Sequence, residues 1–334
     1  AFILLYQVTE LNSYEGNTVT TDTMIGISSI ANDTLMRNRR TVGTGAIVSA
    51  ILLLYLLTLY GWRQGALFLV GLAAGISLYH AAFGFTAAWR EVVNSGRGAG
   101  LRAQMIMLAV TVVVFTPLIA QGELWGISLR GSVAPLNIAV IAGAFMFGLG
   151  MQLGGGCASG TLFTAGGGNM RMLITLASFI AGSVIGSWQW SWWQDVPGLA
   201  PVALSAEFGV AGAIVISLLL FAAVWIGSVA YEKHRNKVVL HEFSVDQSHS
   251  IFRGPWPLLA GALALAAVNV STLLLAGRTW GVTSAFALWG AKIADTIGIG
   301  VRDWAYWQRP GGGASLDKSI LLEVTSVMNI GIIL

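Results

Sequence analysis

Apolar positions along this chain form neither the alternation of a half-buried strand nor the narrow stripe of a surface helix; they run in long blocks broken by small clusters of charge. Charge-free runs of about 18 or more residues, the length a membrane crossing needs, occur at Val42–Tyr60, Gly65–Phe83, Ala103–Ile119, Leu136–Leu153, Met172–Trp190, Phe208–Ala230 and Pro257–Gly277. The pattern predicts seven spanning helices. Basic residues gather at Arg37, Arg39 and Arg40, at Arg97 and Arg102, at Arg171, and at Lys233, Arg235 and Lys237. The stretch Ser191–Glu207 has no Lys or Arg. The positive-inside rule therefore places the region before the first span in the cytoplasm and this tryptophan-rich loop outside, with Trp188, Trp190, Trp192 and Trp193 as an interfacial belt.

Composition points the same way. Of 334 residues, 55% are hydrophobic and 10% charged, and the mean hydropathy is +0.74, whereas soluble domains carry roughly 25% charged residues. Too little polar side chain is present to clothe a water-soluble particle, which excludes a soluble enzyme and a disordered chain alike. A lone cysteine, Cys157, excludes an internal disulfide framework. A net charge of +3 confined to loops reports topology and gives no nucleic-acid footprint. Glycine is the anomaly at 42 residues, which calls for close helix packing or frequent helix breaks.

The expected fold is an all-α integral membrane protein, a polytopic helix bundle. Residues 1–41 read as a loosely structured polar tail without a cleavable signal, and Met24 is a candidate start that would set Ala1–Thr23 outside the native chain. Residues 42–231 read as a first membrane half, 232–256 as a cytoplasmic loop with Val238–Phe252 as its soluble stretch, and 257–334 as a second half. Ser319–Leu334 looks like the start of a further membrane helix that stops early, so the chain is expected to continue.

Glycine breaks recur in one arrangement. Between Arg130 and Arg171 no charge occurs, and Gly154-Gly155-Gly156 divides the stretch, followed by Cys157-Ala158-Ser159-Gly160, a short apolar piece Thr161–Ala165, and Gly166-Gly167-Gly168. A helix of about eight residues rises only ~12 Å and cannot cross a ~30 Å core. The same succession follows the second span (Gly84, Thr86, helix Ala87–Val93) and the seventh (Gly281, Thr283, Ser284, helix Ala285–Ala291). In each, a Ser or Thr is expected to cap a re-entrant half-helix. The shift from span two to span seven is odd, so the third copy enters from the opposite face. That predicts inverted-topology repeats, with a fourth copy beyond residue 334 and a substrate site near the midplane. Helix N-termini aimed at one another offer unpaired N–H groups and partial positive charge, which suits an anion.

The stretch Phe147–Leu162, reading FGLGMQLGGGCASGTL, resembles the signature of the YeeE/YedE family of sulfur transporters. Ala82–Arg90 with Gly96–Gln104, and Arg278–Lys292, support the resemblance, which extends from about Val42 to the end of the chain. It implies an hourglass-shaped bacterial inner-membrane protein that admits thiosulfate past cysteine thiols, with a cytoplasmic sulfurtransferase as a conceivable partner and no cofactor. Only Cys157 and its glycine turn carry over residue by residue. Where relatives have further turn cysteines this chain has Phe85 and Val282.

The candidate substrate contacts are therefore Cys157 with Gly155, Gly156, Ala158, Ser159 and Gly160, joined by Thr86, Thr283 and Ser284. Each has a plainer reading: a lone cysteine is commonly a small buried hydrophobe, the glycines permit packing, and the hydroxyls cap helices. His80 reads as a core histidine bonded to a carbonyl or as a proton-coupling group, Asn269 as interhelical glue or a ligand, and Glu232–Lys237 as a solvated flank. No Lys or Arg is expected inside a span. Transport of a small sulfur-containing anion is the reading taken, with a selenium compound or another sulfur oxyanion as alternative cargo. A membrane sulfur-transfer enzyme using Cys157 lacks a nearby acid or base, since no His, Asp or Glu lies between Gly131 and Met170. A structural subunit leaves the broken half-helices unexplained.

Overall fold

The computed structural model describes residues 21–81, 84–237, 239 and 256–334. Its longer helices are α1 (Thr21–Leu59), α2 (Trp62–Ala81), α3 (Phe85–Ser95), α4 (Ala99–Gln121), α5 (Ile138–Leu153), α6 (Ala158–Gly166), α7 (Met170–Trp188), α8 (Gly209–Asn236), α9 (Leu258–Ala276), α10 (Val282–Thr296) and α11 (Val324–Ile333). Short helical turns and two-residue strand pairs fill the connections. Among the described residues, seven helical stretches are long and apolar enough to cross a membrane. The protein is an all-α polytopic membrane protein, as a backbone without water partners requires.

The chain divides into two units, Ala1–Leu52 and Leu53–Leu334. In the first, helix begins at Thr21, well ahead of the apolar run expected from Val42, so that part of the anticipated tail is helical. Once a helix is nucleated, adding residues to its end is nearly free of cost, and polar composition does not prevent it. The expected loop Val238–Phe252 lies, Val239 apart, outside the described residues.

Within the second unit, α2 is the hub. Helix α9 runs antiparallel to it: the Arg63 guanidinium donates to the Leu275 carbonyl at one end, and the Trp256 N–H donates to the His80 carbonyl at 2.7 Å at the other. Helix α11 runs parallel to it at backbone contact. A Cβ on Gly71 would strike the Met328 carbonyl, and one on Gly75 would lie 2.8 Å from that of Ile332. Small residues let two helices approach until their backbones touch, which is how helices associate where no water drives them together.

The three glycine breaks are present, and the helices after them are short. α3, α6 and α10 have 11, 9 and 15 residues, hence ~17, ~14 and ~23 Å at 1.5 Å per residue. The third runs past the expected end at Ala291, through Lys292, because the Lys292 ammonium donates to the Leu316 and Lys318 carbonyls and its charge is thereby satisfied. The expected Ser/Thr caps are absent: the N-cap positions are Gly84, Cys157 and Gly281, none with a side-chain cap. Thr86, Ser159, Thr283 and Ser284 sit inside the first turns; the Ser159 hydroxyl meets the Cys157 thiol and the Ser284 hydroxyl the Gly281 carbonyl and Thr325.

Directions follow from the contacts. α10 runs parallel to α7, with Phe179 and Phe286 at 5.9 Å between ring centres and Gly290 set against Ile180 and Val184. α6 runs antiparallel to α7, since Gly154 ahead of it meets Thr175 and only Gly167–Asn169 separate the two helices. α6 and α10 touch and, set against α7, run in opposite senses. The start of α10 is level with the middle of α2: Asn329 holds the Val282 carbonyl at 3.0 Å, and its neighbour Met328 lies on Gly71.

At the far end of the bundle two readings of the sequence are corrected. Arg102, expected as a loop charge outside any span, lies within α4 and is 1% exposed, paired at 2.6 Å with Glu232, also 1% exposed. Ser228 and the Gly98 N–H complete the cluster. The run Glu232–Lys237 is thus no plain solvated flank. Arg235 donates to the Val93 and Asn94 carbonyls at 2.7 and 2.8 Å, and Asn236 to that of Ser95, capping the C-terminus of α3.

Candidate functional site

Cys157 is built into its position by the glycines around it. Gly155 has φ +76°, a left-handed conformation that only glycine takes without strain, and it turns the chain out of α5. Gly156 is buried against the start of α6, where a Cβ would lie 3.3 Å from the Thr161 nitrogen. Cys157 is then extended, with φ −77° and ψ 179°, as the N-cap residue. Its thiol is half-buried, 3.5 Å from the Ser159 hydroxyl, and a Cβ on Gly160 would press on the sulfur at 3.3 Å. A side chain at 155 would be strained by the positive φ, and one at 156 or 160 would crowd the Thr161 nitrogen or the Cys157 sulfur.

The first bond at the start of α6 runs from the Thr161 N–H to the Cys157 carbonyl at 2.8 Å. The N–H groups of Ala158, Ser159 and Gly160 precede it, where a helix has no carbonyl to offer. Thr161 is fully buried, and among the described residues its hydroxyl has no partner. Backbone N–H groups, two hydroxyls and a thiol therefore share the first turn of α6, a turn with no Lys or Arg of its own. Such a set can take the oxygens of a small anion on N–H and O–H donors and a soft atom against the sulfur.

The other candidates belong to separate clusters. Thr86 is buried in the first turn of α3, its hydroxyl unpartnered among the described residues, next to Phe85, which lies on Phe147 of α5. Ser284, on α10, donates to the Gly281 carbonyl and meets Thr325 of α11 at 3.3 Å; Thr283 is exposed. Among the described residues no hydrogen bond joins Thr86, Thr283 or Ser284 to the Cys157 turn. His80 Nδ1 bonds the Ile76 carbonyl at 3.0 Å, the plainer of its two readings. Asn269 bonds the Leu265 carbonyl of its own helix and is not interhelical glue in that contact.

Thr161, Thr325, Ser326 and Asn329 were not singled out by sequence. Asn329 is fully buried with its carboxamide oxygen unpartnered among the described residues, and Ser326 accepts from the Trp289 indole at 2.9 Å. A signal existed for both ends of this set: Thr161 stands four residues after Cys157, one helical turn on, and Asn329 is an amide in an otherwise apolar final segment.

Comparison with known proteins yields relatives of one kind. The chain is 28% identical over 221 residues to the thiosulfate transporter TsuA of Spirochaeta thermophila, covering 64% of each chain. It is 28% identical over 176 residues to the probable transporter YedE of Escherichia coli and to that of Salmonella typhimurium, covering 51% of this chain and 42% of theirs. The chain thus spans less than two thirds of the length of these relatives. The glycine–cysteine turn, the unpaired donors behind it and the match of residues 80–334 to the family described as sulphur transport agree, and the chain belongs to that family.

Proposed function

We propose that the protein moves a small sulfur-containing anion, thiosulfate first among candidates, across the bacterial inner membrane. The observation that carries the reading is the pair of opposed short helices, α6 and α10, with the Cys157 thiol and the unpaired Thr161 hydroxyl at the start of one of them. A dianion there meets N–H donors and positive helix ends from both sides, and no side-chain cation that would hold it too tightly to leave. Thiosulfate has a hard sulfonate end for the Ala158, Ser159 and Gly160 N–H groups and a soft sulfur for the thiol. The relative named a thiosulfate transporter supports this cargo.

The opposite senses of α6 and α10 support two halves of inverted topology, residues 42–231 and 257–334, with the half-helices ending within the bilayer and the Cys157 side facing the cytoplasm beyond its turn. Thr86, Thr283 and Ser284 serve in this reading as further stations along the path. A cytoplasmic sulfurtransferase is the chemical class that would receive the sulfur. Another sulfur oxyanion or a selenium compound is the alternative cargo, and the donor set would accept either.

The test is growth of a sulfur-auxotrophic bacterium on thiosulfate as sole sulfur source. The full-length protein is expected to support growth, Cys157→Ala to abolish most of it, and Cys157→Ser, which keeps a donor and loses polarisability, to impair thiosulfate more than a harder oxyanion. Parent-level uptake by both variants at normal expression would reduce the cysteine to packing.

A further inference from the structure

Between α10 and α11 the chain folds into a cap that the transport reading leaves without a task. It encloses a cleft of about 450 Å³ whose lining includes Arg278, Ser284, Trp307, Arg309, Lys318 and Glu323. Glu323 is committed: one oxygen pairs with Arg278 and the other accepts from the Ser326 N–H at 2.6 Å. Arg309 is held in place, its guanidinium carbon 3.8 Å from the Tyr306 ring centre and 4.7 Å from that of Trp190, with Nε donating to the Tyr306 carbonyl. Among the described residues neither Arg309 nor Lys318 pairs with a carboxylate. Trp307 is 5% exposed, and among the described residues its indole N–H has no partner. Ser284, in the first turn of α10, joins this cleft to the opposed helix ends.

We infer that this cleft is a docking site for small oxyanion dianions, such as thiosulfate and sulfate, that feeds the N-terminal end of α10; it deepens the proposed transport function and rests on it. Three cations face one carboxylate already in use, so the cleft carries a surplus of positive charge between low-dielectric walls, which concentrates anions and speeds their arrival. The Arg309 fork, stacked and preorganised, matches an oxyanion edge. The Trp307 indole supplies a dry N–H whose desolvation is otherwise uncompensated. The volume admits the dianion with part of its water. No sulfur atom lines the cleft, so it does not discriminate thiosulfate from sulfate; that choice falls to Cys157, deeper in the path.

The test is equilibrium binding of radiolabelled thiosulfate to the purified full chain in detergent, in a Cys157→Ala background that removes the deeper sulfur contact. Lys318→Gln is expected to weaken binding roughly fivefold at low ionic strength and hardly at all at high ionic strength, with Lys318→Arg restoring it. Trp307→Phe, which keeps the ring and loses the N–H, is expected to weaken it about tenfold. Unlabelled sulfate should displace the label. Binding and salt dependence unchanged in both variants would overturn the inference, as would displacement by phosphatidylglycerol and not by sulfate, which would make the cleft a lipid-headgroup site. Vesicle uptake of thiosulfate by the parent protein is read separately: binding without uptake defeats the transport reading and spares the cleft, and uptake with normal binding in the variants does the reverse.

Discussion

Thr161 is fully buried one helical turn after Cys157 with its hydroxyl unpaired, and a buried hydroxyl without a partner costs about 1–3 kcal/mol. A ligand that accepts from it recovers that cost. Thr161→Val, which keeps the shape, should leave thermal stability unchanged or raise it by about 1 kcal/mol, while thiosulfate uptake falls roughly tenfold. Melting temperature and initial uptake rate, measured on one preparation, check both halves; a stability loss with normal uptake would make the hydroxyl structural. Cys157 could be singled out in the sequence because it stands between a triple glycine and the start of a short helix. Thr161 could not, since its burial depends on α11, more than 160 residues on, packing against α6 as well as on the neighbouring α7.

Short helices need their ends held, and here the holders come from elsewhere in the chain. Arg235 and Asn236, at the end of α8, take the last carbonyls of α3. Arg235→Ala should leave the bundle folded and raise hydrogen exchange at the closing amide of α3, Gly96 N–H to the Val92 carbonyl, by a factor that mass spectrometry of that segment can read. Close approach of α2 and α11 is the second element-scale device. Gly71→Ala drives a methyl into the Met328 carbonyl, a backbone atom that cannot rotate away. It should destabilise the protein by about 1–3 kcal/mol, measurable as a fall in melting temperature without change in substrate specificity. The spacing of glycine breaks foretold where the short helices lie; it said nothing of which remote residue caps them, because a cap made by side chains 141 or 142 residues away leaves no local pattern.

Across the whole molecule, the described residues show two differently fastened ends. Arg102 and Glu232 close one as a buried pair with Ser228 and the Gly98 N–H. Removing one partner strands the other charge, so Glu232→Gln should cost about 3–5 kcal/mol, and the double replacement Arg102→Met with Glu232→Leu should recover most of it. Thermal unfolding of the three variants checks this. The other end is fastened by Arg63 to Leu275, Gln64 to Leu322 and Arg278 to Glu323. If these are the cytoplasmic and outer faces respectively, cysteines introduced at Arg97 and Lys237 should react with a membrane-impermeant reagent only from inside, and those at Trp125 and Arg309 only from outside. Labelling of all four from one face would refute the topology.

Composition alone dictated the solvent: with so few charges and blocks of apolar residues long enough to cross a bilayer, no other environment satisfies the backbone and the side chains together. Glycines at Gly84, Gly154–Gly156 and Gly281 marked where the short helices start, since a left-handed turn such as that at Gly155 is local chemistry. The sequence likewise singled out Cys157. Tertiary structure decided the rest: that Arg102 leaves the loop and is buried with Glu232, that Ser284 faces Thr325 and does not cap its helix, and that α6 and α10 meet with opposed senses. Each of these depends on which distant segments share a surface. Hydrophobic transfer into lipid is indifferent to that choice, because lipid and neighbouring helix are equally apolar; shape and polar pairing between helices make it.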